Sequence, residues 1–511
     1  MTGERTEAPD RAATTPSRRS RLFVVVGLAV AAAIVRGIPL LLPGQITGVR
    51  EYDDGVMLGG AMAMLTGRAP YADFIYVHPP GSLLMLIPQA ATAGLWGEPG
   101  AMAFARIVAI LIGAANAALI AVLLARRGRT AMIVGGGLYA AWPVVVSTER
   151  TAMLEPVLIL GLLIALLLVR RRTAGAGIAA GAVLGLTTTV KVWAIIDVLV
   201  VGVMVAAMLG AAVALRYALA AAAAITAVCL PFFLIDPGAM WNQVIVAQVV
   251  RAGSPAPMST RMGTMSLAQG VHALDHRIPW QLWLVVLGIL TVIALVPLAR
   301  EILRRTPMSR WSQGAWWAVV LLAHGLVIFL SRGYFYHYAV WVIGPLCLGV
   351  GYAAGWLTRR AWRVAAVVGV SGVLALTAIG GVRHPGEPLP GADVVTEWAT
   401  TRSCVLADAS TLIAVDTLRR NLANDCEWDI DFIGAALALD QEHSRQTQYY
   451  TSSEVWRARQ WDFIAGADGM IVMGEGLPAW FTPEQLAEFR RDFVRSDVID
   501  LPALWERRTT G

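Results

Sequence analysis

Long runs of apolar residues, separated by short arginine-rich or polar stretches, fill the first three quarters of the chain. Twelve segments have this character: 22–43, 81–96, 102–125, 131–147, 154–169, 174–190, 193–210, 213–234, 281–299, 313–331, 337–355 and 363–382. A helix needs about 20 apolar residues to cross a hydrocarbon core about 30 Å thick. The pattern therefore predicts an all-α, polytopic membrane bundle over residues 22–382.

Arginines concentrate between these segments, at 18–21, 126–129, 170–172, 300–310 and 359–363. Because basic loops mark the cytoplasmic side, an even number of spans must separate any two clusters. Segment 81–96 breaks this parity, is short and contains Pro88, so we interpret it as an interfacial or re-entrant helix. Eleven spans remain, with the N-terminus inside. The loops placed outside are 44–101, 148–153, 191–192, 235–280 and 332–336.

Composition agrees with a multi-pass protein of the cell membrane. Hydrophobic residues make up 57% of the 511 residues and charged residues 15%, whereas a soluble domain has about 25% charged residues. The net charge of +6 does not indicate a nucleic-acid partner, because the arginines lie in short loops and form no basic face with interleaved aromatics. Residues 1–21, polar and with five arginines, are expected to form a disordered cytoplasmic tail.

Residues 383–511 differ in character and are predicted to form a small extracytoplasmic α/β domain. Apolar runs become short there, with strands expected at 403–407 and 470–473 and helices at 410–420 and 483–493. Thr482 followed by Pro483 is a good helix start. Cys404 and Cys426 both lie in this domain, and outside the cell they are free to form a disulfide.

The first external loop carries an acidic pair, Asp53 and Asp54, about ten residues after the first span. An apolar, helix-like segment, 55–65, follows the pair, and a solvated loop has little need of it. This segment is therefore expected to pack against the bundle. Carboxylates favour the N-termini of helices, so helix capping explains the pair as readily as chemistry does.

The same loop resembles the first external loop of C-fold glycosyltransferases, the branch of aminoarabinose transferases and protein O-mannosyltransferases. The family pattern is an acidic pair, an apolar helix, a Gly-x-x-Pro-Tyr turn and a Pro-Pro pair. Here these elements are Asp53–Asp54, the turn 67–71 and His78-Pro79-Pro80. The family commonly has Asp-Glu where this chain has Asp-Asp. The resemblance implies that Asp53 is the catalytic base, with Asp54 as the other candidate, and that His78 faces the same cavity.

Other external loops add to the resemblance. Glu149-Arg150 and Leu154-Glu155-Pro156 fall in the second external loop and at the start of the next span. They resemble the family's acidic residue before proline that faces the cavity, with Glu155 in place of the more frequent aspartate. An ion pair, or a carboxylate at a helix N-terminus, explains them equally well. Lys191 is the only lysine among 41 basic residues and resembles the lysine that contacts the lipid phosphate. The structural alternative is that Lys191 is an ordinary lysine at the end of a span, whose amine extends to the membrane–water interface.

Arg332 opens the last external loop, with Tyr336 and His337 close behind it. The stretch resembles the family's Arg…His-Tyr segment. The resemblance implies that Arg332 binds the donor phosphate, which a guanidinium does with two hydrogen bonds, and that Tyr336 and His337 face the cavity. An aromatic belt at the membrane interface also explains the tyrosines.

The resemblance covers residues 22–360 and implies transfer of a sugar from a polyprenyl-phosphate donor, embedded among membrane lipids, to an extracytoplasmic acceptor. The acceptor (a glycan, a lipid or a protein) and the sugar stay open. No cofactor is required, although a divalent metal is conceivable with His78 and the acids as ligands. The alternative is a transporter or a lipid-linked-glycan flippase. It would predict internal repeats and broken helices at mid-membrane, and the sequence shows neither pattern.

Overall fold

The computed structural model describes residues 18–251, 256–268, 280–386, 388–447, 449–474 and 477–508. Residues 1–17, which include most of the predicted cytoplasmic tail, lie outside this range. Two parts are seen: a bundle of apolar helices up to residue 383, and a smaller domain that contains all four described strands of the sheet.

Apolar helices make up the bundle, as the sequence predicts. Within the described residues, eight of them are long and apolar enough to cross a membrane. Counted together with the 3₁₀ turns that adjoin some of these helices, the candidate spans are Arg18–Leu41, Ala93–Arg127, Val192–Leu209, Ala211–Ile235, Gln281–Leu303, Gln313–Leu330, Tyr336–Ala354 and Arg360–Arg383. Glu155–Val169 and Ala174–Thr188 are shorter apolar helices, and Pro143 separates Arg129–Ala141 from Pro143–Thr148. The count of eleven spans stays a prediction.

For reference the helices of the bundle are numbered in chain order. They are α1 (Arg18–Gly37), α2 (Tyr52–Leu65), α3 (Gly81–Leu84), α4 (Ile87–Ala91), α5 (Ala93–Leu124), α6 (Arg129–Ala141), α7 (Pro143–Thr148), α8 (Glu155–Val169), α9 (Ala174–Thr188), α10 (Ile195–Leu209), α11 (Ala211–Ile235), α12 (Pro237–Trp241), α13 (Ala247–Val250), α14 (Met258–Met265), α15 (Trp280–Leu303), α16 (Gln313–Leu330), α17 (Ala339–Ala354) and α18 (Arg360–Arg383).

Segment 81–96 does not form a spanning helix. It contains α3 and α4, of 4 and 5 residues, and the first residues of α5, which is kinked at Gly97 (φ 70°). At about 1.5 Å per residue, neither short helix approaches the thickness of a bilayer. This agrees with the interfacial or re-entrant interpretation on which the parity argument rests.

The arginine clusters meet at one end of the bundle. The Arg127 guanidinium lies 4.1 Å from the ring centre of Tyr352, and that of Arg300 lies 4.0 Å from Trp356. Arg170 donates hydrogen bonds of 3.0 Å to the carbonyls of Val122 and Leu123. These contacts join three of the clusters predicted to be cytoplasmic, so the structure is consistent with a single basic face.

The C-terminal domain packs at the other end, against the first long loop. Glu98, near the start of α5, accepts hydrogen bonds from the backbone amides of Leu418 (3.0 Å) and Arg419 (2.6 Å). The amide of Gly55 in α2 donates to Ser410 Oγ at 3.0 Å. A Cβ on Gly55 would overlap the Ser410 backbone, so glycine permits this close approach. The loop and the domain therefore lie on the same side of the bundle.

The C-terminal domain is a small α/β unit, as predicted. Its helices are α19 (Ala392–Thr400), α20 (Ala409–Ala414), α21 (Leu418–Ala423), α22 (Phe432–Leu439), α23 (Gln441–Gln446), α24 (Glu454–Gly466) and α25 (Pro483–Asp492). Its strands are β1 (Val405–Leu406), β2 (Gly469–Val472), β3 (Phe493–Arg495) and β4 (Ala503–Arg507). The sheet order is β1-β2-β4-β3, with β1 and β2 parallel and the other pairs antiparallel.

Most local predictions for this domain are confirmed. Both expected strands are present, and α25 begins with a capping box between Thr482 and Gln485. Cys404 and Cys426 form the expected disulfide. The helix predicted at 410–420 is wrong as a single element: it is split into α20 and α21 around Asp416, whose positive φ of 52° interrupts a helix.

Surface labelling tests the predicted orientation. In a variant whose free thiols Cys229 and Cys347 are replaced by alanine, Thr400→Cys places an exposed thiol on the C-terminal domain. We expect an impermeant maleimide to reach it in intact cells. Arg171→Cys, on the basic face, should react only after the membrane is opened. If Arg171→Cys is labelled in intact cells and Thr400→Cys is not, the orientation in the membrane is opposite to the predicted one.

Candidate active site

The two adjacent aspartates occupy different environments. Asp54 is fully buried, and its Oδ2 accepts hydrogen bonds from Arg106 Nη2 (2.6 Å) and Nε (3.0 Å). Its Oδ1 accepts a hydrogen bond from the Ala152 amide. The side chain of Asp53 is 34% exposed. Asp54 is thus held by the bundle, while Asp53 is the carboxylate with room to meet a ligand.

Asp53 lines an open cavity of about 140 Å³ between the bundle and the C-terminal domain. The residues predicted for the site that share this cavity are Asp53, His78, Lys191, Tyr336 and His337. They come from four separate stretches of the chain, and the first turn of α2 supplies Asp53. The structure therefore brings together most of the residues that the resemblance placed in one cavity.

Lys191 and Glu155 form a buried ion pair at the base of this cavity. Lys191 follows α9, and Glu155 is the first residue of α8. The ring of His337 lies between two carboxylates, with Nδ1 3.0 Å from Glu155 Oε2 and Nε2 3.6 Å from Asp53 Oδ2. The Lys191 ammonium also lies 4.4 Å from the ring centre of Tyr338. Glu155 is thereby in contact with both the Lys191 ammonium and the His337 imidazole.

His78 faces the cavity as a neutral imidazole. Burial, and then the nearby positive charge of Lys191, lowers the pKa of His78 to about 3. A neutral imidazole has one nitrogen that donates a hydrogen bond and one that accepts. At neutral pH His78 is therefore able to orient a ligand hydroxyl without adding charge.

Four predicted site residues do not line this cavity. Asp54 and Glu155 are buried, and Glu155 contacts the lining residues Lys191 and His337; Arg332 and Arg150 lie elsewhere. Arg332 is exposed, and its carbonyl accepts a hydrogen bond from Arg261; it does not line the cavity that holds Asp53. Arg150 is buried and lines a second cavity behind Tyr336. The expectation that Arg150 shares the cavity of Asp53 is therefore corrected. The loop that carries each residue is predictable from the sequence, but the direction of its side chain depends on how the helices pack.

Three charged residues of the cavity were missed from the sequence: Glu51, Arg251 and Asp431. The Arg251 guanidinium lies 4.7 Å from the ring centre of Phe335, and its Nη1 lies 3.4 Å from the Tyr338 hydroxyl. Arg251 thus occupies the place expected of Arg332. Arg251 follows an apolar helix and lies in a loop with several arginines, so no local sequence pattern distinguishes Arg251 from the others.

Asp431 comes from the C-terminal domain, where it caps α22 through the Gly434 amide (2.7 Å). The Tyr52 hydroxyl donates a hydrogen bond of 3.0 Å to the same carboxylate. Burial, together with the negative charge of Asp53, raises the pKa of Asp431 to about 7 despite the bond from the Gly434 amide. The C-terminal domain therefore contributes a titratable group to the cavity.

The charges in the cavity are divided by origin. Lys191, after α9, and Arg251, after α13, supply the cations, whereas the loop between α1 and α5 and the C-terminal domain supply Glu51, Asp53 and Asp431. A ligand with an anionic group and several hydroxyls matches both sets, because cations bind phosphate and carboxylates accept hydrogen bonds from hydroxyls.

A divalent metal was one possibility that the sequence left open. Among the residues that the structure describes, no three His, Cys, Asp or Glu side chains are close enough to hold a metal ion. Of the expected ligands, Asp54 and Glu155 are instead held in ion pairs, and the His78 ring packs against Tyr76. We therefore derive no step through a metal.

Comparison with known proteins identifies the fold. No family model and no curated protein matches the chain. The crystal structure of ArnT from Cupriavidus metallidurans bound to undecaprenyl phosphate is 14% identical, with a TM-score of 0.58, over 97% of this chain and 99% of its own. The Archaeoglobus fulgidus oligosaccharyltransferase is 11% identical, with a TM-score of 0.50, over 75% of this chain and 57% of its own. The chain has the fold of C-fold glycosyltransferases, as its first loop indicates.

Proposed function

We propose that this membrane protein transfers a sugar from a polyprenyl-phosphate donor to the hydroxyl of an acceptor on the outer side of the membrane. The observation that carries the proposal is a cavity whose lining combines the partly exposed carboxylate of Asp53 with the cations Lys191 and Arg251. The fold, shared with a protein whose structure contains undecaprenyl phosphate, supports the choice of donor.

Asp53 is the base of this reaction. The acceptor hydroxyl must lose its proton as its oxygen attacks the anomeric carbon, and a positioned carboxylate takes that proton. Asp54 is a poor candidate because Arg106 and the Ala152 amide occupy its oxygens. The hydroxyl oxygen forms the new bond as the bond from the anomeric carbon to the phosphate oxygen breaks. This direct displacement inverts the anomeric centre.

Lys191 and Arg251 stabilise the leaving group. When the glycosidic bond breaks, its electron pair stays on the phosphate oxygen, so the polyprenyl phosphate gains negative charge. Fixed cations aimed at such developing charge lower the barrier, especially in a site with little water. The Glu155 carboxylate neutralises part of the Lys191 charge, which leaves Arg251 as the cation less committed to the protein.

The hydroxyl-binding side of the cavity is shared between the bundle loop and the C-terminal domain. Asp431 and His78 both line it, and both carry atoms that bond to hydroxyl groups. We assign them to the sugar or the acceptor. On this view the C-terminal domain is part of the substrate-binding surface rather than an appended module.

A donor panel tests the proposal. Purified protein in lipid discs is incubated with polyprenyl-phosphate mannose, arabinose or glucose and with envelope fractions as acceptors. We expect one donor to be consumed and its sugar to appear in the acceptor fraction. Movement of intact lipid-linked glycan across the bilayer, without release of polyprenyl phosphate, would instead support the flippase alternative.

Arg251→Gln should weaken donor binding by about tenfold or more, since hydrogen bonds to charged groups contribute about 1.5–3 kcal/mol. Arg332→Gln is the matched control: it removes the arginine expected from the sequence, which is exposed and outside the cavity. Binding of polyprenyl phosphate to each purified variant measures the effect. A large loss in Arg332→Gln with none in Arg251→Gln would return the phosphate site to Arg332.

A further inference from the structure

A second cavity, of about 360 Å³, lies between α7 and the outer end of α18. We call it the Arg150 cavity; its polar lining residues are Glu51, Ser147, Arg150, Tyr336, Thr377 and His384. Glu51 and Tyr336 also line the cavity that holds Asp53, and the Tyr336 hydroxyl donates a hydrogen bond to Glu51. This bonded pair is therefore a wall shared by the two cavities.

Arg150 is a buried cation with few partners. The residue is 8% exposed, and Nη2 donates one long hydrogen bond of 3.3 Å to the Val35 carbonyl. Its buried Nε has no hydrogen-bond partner among the described residues. Within that same part of the chain, the ion pairs of the bundle include no carboxylate paired with Arg150.

Other buried cations of the bundle are compensated. Arg36 is paired with Glu149, Arg106 with Asp54 and Lys191 with Glu155. Arg261 is buried and has no carboxylate partner among the residues that the structure describes, but it donates hydrogen bonds to carbonyl oxygens, of which Ile328 (2.8 Å) and Ser331 (2.7 Å) are the nearest. Arg150 differs from all of these because its free donors adjoin an open space.

Arg150 keeps its charge at neutral pH. Burial, followed by the positive charges of Arg50 and Arg36, lowers the pKa of Arg150 to about 9. Burying a charge without an opposite charge beside it is costly, and the neighbouring positive charges of Arg50 and Arg36 add to that cost. An anion in the cavity would offset it. Glycine at position 381 lets the guanidinium approach α18, because a Cβ there would overlap Arg150 Nη2.

We propose that the Arg150 cavity is an anion-binding site, distinct from the cavity of Asp53, that takes a phosphate-type oxyanion. The guanidinium offers paired donors that match two oxygens of a phosphate. The oxyanion is either the headgroup of an anionic membrane lipid or a free anion. α18, which forms one wall, has exposed apolar residues such as Ile379 and Val382, as expected of a helix in contact with lipid.

Phosphate-dependent stabilisation tests the site. Because Arg251 also attracts phosphate, every protein carries Arg251→Gln. A ligand that binds only the folded state raises the unfolding midpoint in a saturable way. We expect inorganic phosphate, at constant ionic strength, to raise the midpoint of this background protein. Arg150→Gln should lower the apparent phosphate affinity by about tenfold or more. Arg150→Lys keeps the charge but loses the paired donors. Its apparent phosphate affinity should lie between those of the background protein and of Arg150→Gln.

The matched control is Arg170→Gln, which removes an arginine bonded to two carbonyls at the opposite end of the bundle. It should respond to phosphate as the background protein does. Should Arg150→Gln fail to fold, Arg150→Lys alone still tests the site, because loss of the paired donors must lower the affinity.

Lipid discs distinguish the two sources of the oxyanion. If a lipid headgroup is the ligand, phosphatidylglycerol discs stabilise the background protein relative to phosphatidylcholine discs, and Arg150→Gln abolishes the difference. If a free anion is the ligand, only inorganic phosphate has this effect. The proposal is overturned if neither inorganic phosphate nor phosphatidylglycerol stabilises the background protein. It is also overturned if Arg150→Gln and Arg150→Lys both respond to these probes as the background protein does.

Discussion

Asp53→Asn should lower the turnover of sugar transfer by roughly 10²–10⁴-fold, the usual contribution of a general base. Asparagine keeps the size and shape of the side chain but is unable to take a proton. The donor should bind almost as well as to the wild type, because its phosphate is assigned to other residues of the cavity, Lys191 and Arg251. Turnover and donor affinity, measured on the same purified protein, separate the two effects.

Helix capping makes the opposite prediction for this variant. Asparagine caps a helix about as well as aspartate does, so a purely structural Asp53 would leave turnover nearly unchanged. Asp440→Asn is a suitable control, since Asp440 caps α23 through the His443 amide and does not line the cavity. Normal turnover in Asp53→Asn would remove the base from the mechanism.

Asp54→Asn should instead destabilise the protein, by about 3–5 kcal/mol, which is the typical cost of breaking a buried ion pair by removing one partner. The variant leaves the Arg106 guanidinium buried and uncompensated. Asp53→Asn removes a partly exposed carboxylate and should change the free energy of unfolding by about 0.5 kcal/mol or less. Unfolding in detergent, followed by the same probe for both variants, gives the comparison.

A compensating change sharpens the Asp54 prediction. Asp54→Asn/Arg106→Gln no longer buries an unpaired charge, so it should recover part of the stability lost in Asp54→Asn. A stable Asp54→Asn that has lost turnover would show that Asp54 acts in the chemistry. That result would move the base one residue along the chain.

The placement of Asp431 gives the C-terminal domain a defined relation to the site. Its carboxylate reaches Tyr52, next to Asp53, and α20 packs on α2 through Gly55 and Ser410. The position of the proposed base therefore depends on contacts between the bundle loop and the domain. Substitutions in the C-terminal domain at this interface should therefore alter the position of Asp53, although the substituted residues lie outside the bundle.

The sequence by itself determined the architecture and the stretches that carry the site. Apolar runs of about 20 residues have few other uses, because a bilayer requires helices that satisfy their own backbone. The strand and turn patterns of residues 383–511 likewise predicted a small α/β domain, and two cysteines in one small domain expected to lie outside the cell predicted their disulfide. The motif spacing in the first loop correctly indicated the fold.

The tertiary structure decided which side chains share a cavity. Arg106 and Asp54 are 52 residues apart, and only helix packing reveals that their ion pair buries Asp54 and leaves Asp53 accessible. Arg251 lines the cavity where Arg332 was expected, and Arg150 lines a separate one. Local patterns report periodicity and the ends of helices, whereas the direction of a side chain at a helix end depends on neighbours far away in the chain. Asp431 reaches the site for the same reason, through the docking of a domain whose own sequence carries no sign of it.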